Sequence, residues 1–131
     1  TMGNEYPDSD LTEQIIKAAI AVHTKLGPGY LESTYEEALC IELRKAGIPF
    51  ERQKTVDILY EGRKIAEHRL DLFVAGRVVV ELKAIQDVAP IHYTVVRSYL
   101  KATGTATGLL LNFFSMPLMI KRIGPDRFAE M

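Results

Sequence analysis

Asp71, Glu81 and Lys83 are the residues of this chain whose types and spacing suit chemistry at a phosphate or carbonyl oxygen. The last two lie in the run VVVELKA, Val78 to Ala84. Residues two apart on a strand point to the same face. Glu81 and Lys83 therefore sit side by side, while Val78, Val80 and Leu82 face the other way. Two carboxylates brought together repel unless a cation or a proton intervenes. An oxygen-rich site of this kind suits Mg²⁺, with Mn²⁺ as its substitute, because such ions keep several waters for substrate and nucleophile. A lysine beside the glutamate can hold or deprotonate an attacking water, or neutralise a developing oxyanion. The same spacing also fits a solvated sheet face carrying Glu–Lys and Arg–Asp ion pairs. Spacing alone leaves both readings open.

A hairpin must bring these residues together. On the strand before the run, Leu70, Leu72 and Val74 share one face, and Arg69, Asp71 and Phe73 the other. Matching the apolar faces of the two strands requires a pairing with an even residue sum, since a slip of one residue would expose half of them. A three-residue loop ending at Gly76 gives Phe73 opposite Arg77 and Asp71 opposite Val79. Glu81 then lies one diagonal step from Asp71, about 7–8 Å away, within reach of a shared ion. Asp71, Glu81 and Lys83 are thus predicted on one face, opposite Leu70, Leu72, Val80 and Leu82.

The flanking elements follow from periodicity. Residues 1–9, TMGNEYPDS, are polar and predicted to be loosely ordered; Thr1 ahead of Met2 reads as an expression remnant. Asp10 reads as an N-cap with Glu13 three residues on, a capping-box spacing. Leu11, Ile15, Ala18, Ala19, Val22 and Leu26 then recur at helical intervals until GPG at Gly27–Gly29. A second helix spans about Leu31 to Ala46, ended by Gly47. From Phe50 the period becomes two, with a turn at Glu61-Gly62 and strands over Lys64–Val74 and Arg77–Lys83. Pro90 opens a third helix to about Thr103, and GLLLNFF and LMIKRI supply two last strands. The order is ααβββαββ, a mixed α/β arrangement in one domain over residues 1–131.

Composition is that of an ordinary globular protein: 47% hydrophobic, 25% charged, net charge −1. There is no broad basic footprint, so nucleic acid would have to use a local patch. The single cysteine, Cys40, suits a reducing, cytoplasmic setting and a place in the core. No apolar run nears the roughly 18 residues of a membrane span, and no signal peptide is visible. Zinc-type Cys/His spacing, a phosphate-binding glycine loop and a serine-nucleophile elbow are all missing. His23 reads as a packed helix residue.

Several further motifs stand in register with the Asp and Glu-x-Lys residues. Gly29, Glu32 and Tyr35 form G-x-x-E-x-x-Y within LGPGYLESTYEEAL, preceded by AAIAVHTKLGPG and followed by RLDLFV, VVVELKA and GLLLNF. Over roughly Leu11 to Ile123 the chain resembles the GxxExxY proteins, a branch of the PD-(D/E)XK nuclease superfamily. That resemblance implies a restriction-endonuclease-like core, a mixed sheet flanked by helices. It further implies Asp71, Glu81 and the Leu82 carbonyl as metal ligands, Lys83 as the catalytic lysine, and Glu32 as an additional acidic member. A nuclease acting on DNA or RNA follows; the alternative is a catalytically silent, self-associating module of the same fold. Gly29 serves a turn and Tyr35 helix packing on this reading, and Gln53 matches the pattern without an evident role. Relatives often carry a glutamine four residues before the tyrosine matching Tyr99; here Val95 stands there. His92, one turn away, is a candidate substitute. Arg52, Lys54, Arg97 and Lys101 are candidate phosphate contacts.

Overall fold

The structure, a computed structural model, describes residues 6–125. Its elements are α1 (Ser9–Leu26), α2 (Glu32–Lys45), β1 (Phe50–Tyr60), β2 (Arg63–Val74), β3 (Val78–Lys83), α3 (Pro90–Thr103), β4 (Thr107–Asn112) and β5 (Met119–Ile123). The strands form one five-stranded sheet in the order β1-β2-β3-β4-β5. All neighbours are antiparallel except β3 and β4, which run parallel and are joined through α3. A parallel pair needs such a crossover, since a tight turn can join only antiparallel strands.

The predicted stripe of α1 is buried: Leu11, Ile15, Ala18, Ala19 and Val22. With Tyr35, Leu39, Cys40 and Leu43 of α2, it covers one face of the sheet, over Leu72, Val74, Val78, Val80, Leu82, Leu109 and Leu111. Helix α3 covers the opposite face with Val96, Tyr99 and Leu100 over Val79 and Leu110. It packs so closely on β4 that a Cβ at Gly108 would lie 2.7 Å from Val96 Cγ1. β3 is therefore central and covered on both faces, as its valines predict.

The start of the chain differs from the expected cap. Asp8, not Asp10, stands at the N-cap of α1, and it makes no side-chain cap bond. Its carboxylate instead accepts hydrogen bonds from Arg77 Nε at 2.9 Å and Thr107 Oγ1 at 2.8 Å. Asp10 pairs with Arg77 Nη2 at 3.1 Å. A guanidinium from the loop between β2 and β3 and a buried hydroxyl from β4 outcompete the helix's own amides. Residues 1–5 of the segment expected to be loose lie outside the described residues. The remainder is tied down, with Arg122 above the Tyr6 ring at 5.0 Å and Thr107 bonded to the Pro7 carbonyl.

The central hairpin also departs from expectation in register. Val74 pairs with Val78, Phe73 with Val79 and Leu72 with Val80, a shift of two residues from the predicted pairing. The loop is Ala75–Arg77, because Ala75 (φ 53°) and Gly76 (φ 66°) both take the left-handed conformation. The parity of faces survives, since both registers have even sums.

The single face expected for Leu70 and Leu72 does not survive. Leu72 and Val74 pack beneath α1 and α2, whereas Leu70 packs beneath α3 with Val56. The exchange of faces happens where β1 and β2 pair Arg52 with Leu72 and Lys54 with Leu70 but skip Gln53 and Asp71 between them. Gln53 has φ 52°, and this local break in the pleat turns both strands over. Beyond it, β1 and β2 continue as a two-stranded arm, for β2 meets β3 only at Leu72–Val74. The arm contains a bulge: Ile58 faces Ala66 and Leu59 faces Lys64, leaving Ile65 unmatched.

Candidate active site

Asp71 stands at the point where β2 leaves β3. Its Oδ2 accepts a hydrogen bond from the Leu82 N–H at 2.8 Å, so a side chain replaces the strand partner that β3 has lost. Glu81, one residue earlier on β3, is 8% exposed. Its Oε2 lies 3.5 Å from Lys83 Nζ, and its Oε1 is buried with no hydrogen-bond partner among the described residues. The Glu–Lys pair of a solvated face thus exists, but on a buried strand. The corresponding Arg69–Asp71 pair does not form among the described residues.

The electrostatics record how close these groups are. Burial, then the neighbouring Asp71 charge, push the Glu81 carboxyl up to about 7, with Lys83 opposing. Asp71 is likewise raised, by burial and by the charges of Glu36 and Glu32, against the Leu82 amide and Lys83. Tyr99 of α3 is raised by burial and by both carboxylates, which puts its hydroxyl within their field. Buried carboxylates with raised pKa values and a specific charged neighbour are a signature of functional sites.

Glu32 lies in the first turn of α2, exposed, with its charge acting on both Asp71 and Glu81. It belongs to the electrostatic neighbourhood of the pair. Yet among the described residues no three His, Cys, Asp or Glu side chains are grouped to hold one ion. The donors fit a divalent cation through two carboxylates, with Glu81 Oε1 as the orphaned buried oxygen that a cation would satisfy.

Glu36 is the residue that sequence reasoning missed. A Glu-Glu pair on a helix reads as solvated, but Glu36 is buried at 8% exposure. It accepts hydrogen bonds from Arg52 Nε and from Gln53 Nε2, each at 2.7 Å. Gln53 thereby gains its role: its side chain crosses to α2 and pins the break in β1 that lies opposite Asp71. The only sequence signal was the match of Gln53 to the family pattern.

Other candidates sort clearly. His92 Nδ1 accepts the Ala89 N–H at 2.8 Å, closing the start of α3 rather than replacing a glutamine. Val95 is partly buried and packs on the apolar cluster beneath α3. Arg52 is committed to Glu36 and Glu37, and Lys54 to Glu51 and the Phe73 ring. Arg97 and Lys101 form no ion pair among the described residues. His23 is buried 6.1 Å from Phe113, a packed residue as its helix position predicts.

Tyr35 does more than pack a helix. Its hydroxyl donates to the Gly27 carbonyl at 2.6 Å and accepts the Tyr30 N–H at 3.2 Å. Its ring stacks on Phe113 at 4.5 Å, and the Phe113 N–H donates to the Lys83 carbonyl at 2.8 Å. Through Phe113, Tyr35 therefore fastens the loop before α2 to the end of β3. Gly29, at φ 115°, supplies the turn.

A mixed sheet flanked by helices, with an acidic pair and a lysine where β2 and β3 part, defines a nuclease-type fold. The chain belongs to the PD-(D/E)XK nuclease superfamily, whose family pattern matches residues 9–123. The crystal structure of SSO0001 is similar, with a TM-score of 0.58 at 18% identity over 94% of this chain. This chain covers 62% of that one, and at such identity the likeness shows the fold alone. No curated protein matches the sequence.

Proposed function

We propose that this protein is a divalent-metal-dependent phosphodiesterase that cleaves DNA or RNA. The observation that carries the reading is the Glu81 carboxylate, buried beside Asp71 with one oxygen that has no hydrogen-bond partner among the described residues. Such an arrangement is costly unless a cation completes it. Asp71, Glu81 and the Leu82 carbonyl would hold Mg²⁺ or Mn²⁺. When bound, the ion supplies Lewis acidity toward the phosphoryl group and a more acidic water.

The chain's own groups do the rest. The Leu82 amide fixes one oxygen of Asp71 and so orients the other. Lys83, 3.5 Å from Glu81, is in reach of a water beside that carboxylate. It would hold or deprotonate that water and offset negative charge on the phosphate. Glu32 would act as an outer acidic group. Membership of the GxxExxY branch rests on Gly29, Glu32 and Tyr35. A buried, lone Cys40 is in keeping with a reducing cytoplasm, and among the described residues no helix is long and apolar enough to cross a membrane.

The test is a nuclease assay on single- and double-stranded DNA and RNA, with Mn²⁺ and with chelator, on wild type and Asp71→Ala. Cleavage that needs both metal and Asp71 supports the reading. Cleavage that survives both changes points to a contaminant. Neither cleavage nor Mn²⁺ binding leaves the second reading, a silent nuclease-fold module that self-associates. The apolar packing of Val95 where relatives place a glutamine favours that alternative.

A further inference from the structure

We propose that Glu36 is a positioning residue for the acidic pair: through Gln53 it holds the break in β1 that lets Asp71 turn toward the Leu82 amide. The consequence, a metal site whose geometry is set from α2, rests on the phosphodiesterase reading. A side chain on a regular strand stands roughly perpendicular to the sheet. A backbone amide in a ladder points along the sheet, toward the next strand. Asp71 reaches such an amide all the same, its Oδ2 lying 2.8 Å from the Leu82 nitrogen. Continued past Leu72–Val80, the β2–β3 ladder would set Leu82 opposite Leu70. The Asp71 carboxylate takes the place that Leu70 would hold. It is free to do so because β1 and β2 pair Arg52 with Leu72 and Lys54 with Leu70, leaving Gln53 and Asp71 out of the ladder.

The hold on this break comes from α2. Neighbouring residues of a regular strand point to opposite faces. Here Arg52 Nε and Gln53 Nε2 both donate to the Glu36 carboxylate, each at 2.7 Å. Gln53 can join Arg52 because it takes φ 52°. That conformation is unfavourable for a residue other than glycine and persists only where its surroundings hold it. Glu36 is a firm anchor: it is buried, and its neighbours Tyr35 and Leu39 on α2 are fully so. A buried carboxylate oxygen without a donor is costly, so Glu36 binds Gln53 as much as Gln53 binds Glu36.

The effect on the site follows. Without Glu36, Gln53 can return to an ordinary strand conformation and pair with Asp71. The Asp71 side chain then stands off the sheet and leaves the Leu82 amide. Groups that orient a ligand in this way typically change metal affinity about 10–100-fold.

The test compares Glu36→Gln, which keeps an oxygen for Gln53 Nε2 and removes the charge, with Glu36→Ala, which removes both. In the metal-free protein, hydrogen exchange at the Leu82 amide should quicken on the order of tenfold in Glu36→Ala, relative to the Val79 and Leu110 amides. It should stay near wild type in Glu36→Gln. Mn²⁺ affinity by calorimetry should fall about 10–100-fold in Glu36→Ala and clearly less in Glu36→Gln. Unchanged Leu82 exchange in Glu36→Ala would overturn the proposal, leaving Glu36 a structural residue. Equal losses of Mn²⁺ affinity in both variants would also overturn it, since charge alone would then be at work. Should Glu36→Ala not fold, Gln53→Ala leaves the Arg52–Glu36 pair in place and is read in the same way. A wild type that binds no Mn²⁺ would sink the phosphodiesterase reading, while the Leu82 amide still decides this one.

Discussion

The Leu82 amide donates to Asp71 Oδ2 across 2.8 Å, the first bond beyond the last Leu72–Val80 pair of the hairpin. One backbone group of β3 thus positions a carboxylate of β2 next to the glutamate that precedes it. The acidic pair is consequently set by main-chain geometry rather than by side-chain packing alone.

Asp71→Asn keeps an acceptor for that amide and removes the charge, whereas Asp71→Ala also leaves the amide unpaired. Both should abolish metal-supported cleavage, by on the order of 10³ or more. Asp71→Ala should additionally lose about 1–3 kcal/mol of stability. Assay and urea denaturation of the two variants separate these effects.

Stability should fall as pH rises through the titration of Glu81. Its folded pKa, about 7, lies above the ordinary 4.5. Between those values the folded state holds a proton that the unfolded chain has released. The metal-free protein is therefore favoured below about pH 4.5 and loses that stabilisation progressively up to about pH 7, on the order of 3 kcal/mol. Glu81→Gln should flatten this part of the melting-temperature profile. Mn²⁺ should raise the wild-type melting temperature more at pH 8 than at pH 5, because protons compete for the same oxygens.

Val95→Gln should increase a metal-dependent rate, by up to about 10²–10³ if the amide reaches a positioning contact. Val95 is only partly buried, so the fold should tolerate the change with little shift in denaturation midpoint. An unchanged rate in a folded variant would argue for the silent module.

Gln53→Ala should cost about 1–3 kcal/mol, since a buried oxygen of Glu36 loses its partner. Gln53→Glu should be worse, setting a second carboxylate against Glu36. Chemical denaturation of both variants, with Mn²⁺ titration, would show whether the break in β1 also sets the geometry at Asp71.

The element order and the buried stripe of α1 were legible in residue periodicity, whereas the spacing of Glu81 and Lys83 left open whether their strand was solvated or, as found, covered on both faces. The hairpin register was not legible, because loops at 74–76 and 75–77 preserve the same faces and only the conformations of Ala75 and Gly76 choose between them. The exchange of faces at Asp71 was hidden for a related reason: a positive φ at Gln53 has no signature in residue type. Glu36 was unreadable because its burial depends on Arg52 and Gln53, strangers in sequence that the sheet brings to it. Asp10 had the right spacing for a cap, but a distant arginine claimed it.

The two-stranded arm has a bearing on how the protein survives at high concentration. Beyond Leu72, the side of β2 turned away from β1 has no strand partner among the described residues, and an open edge invites a neighbouring chain to continue the sheet. Arg63 and Lys64 lie there beside the bulge at Ile65, which bends and twists the strand. A chain approaching this side of β2 would meet charge and a ladder out of step, which discourages strand addition there while Val56 and Leu70 hold the arm beneath α3.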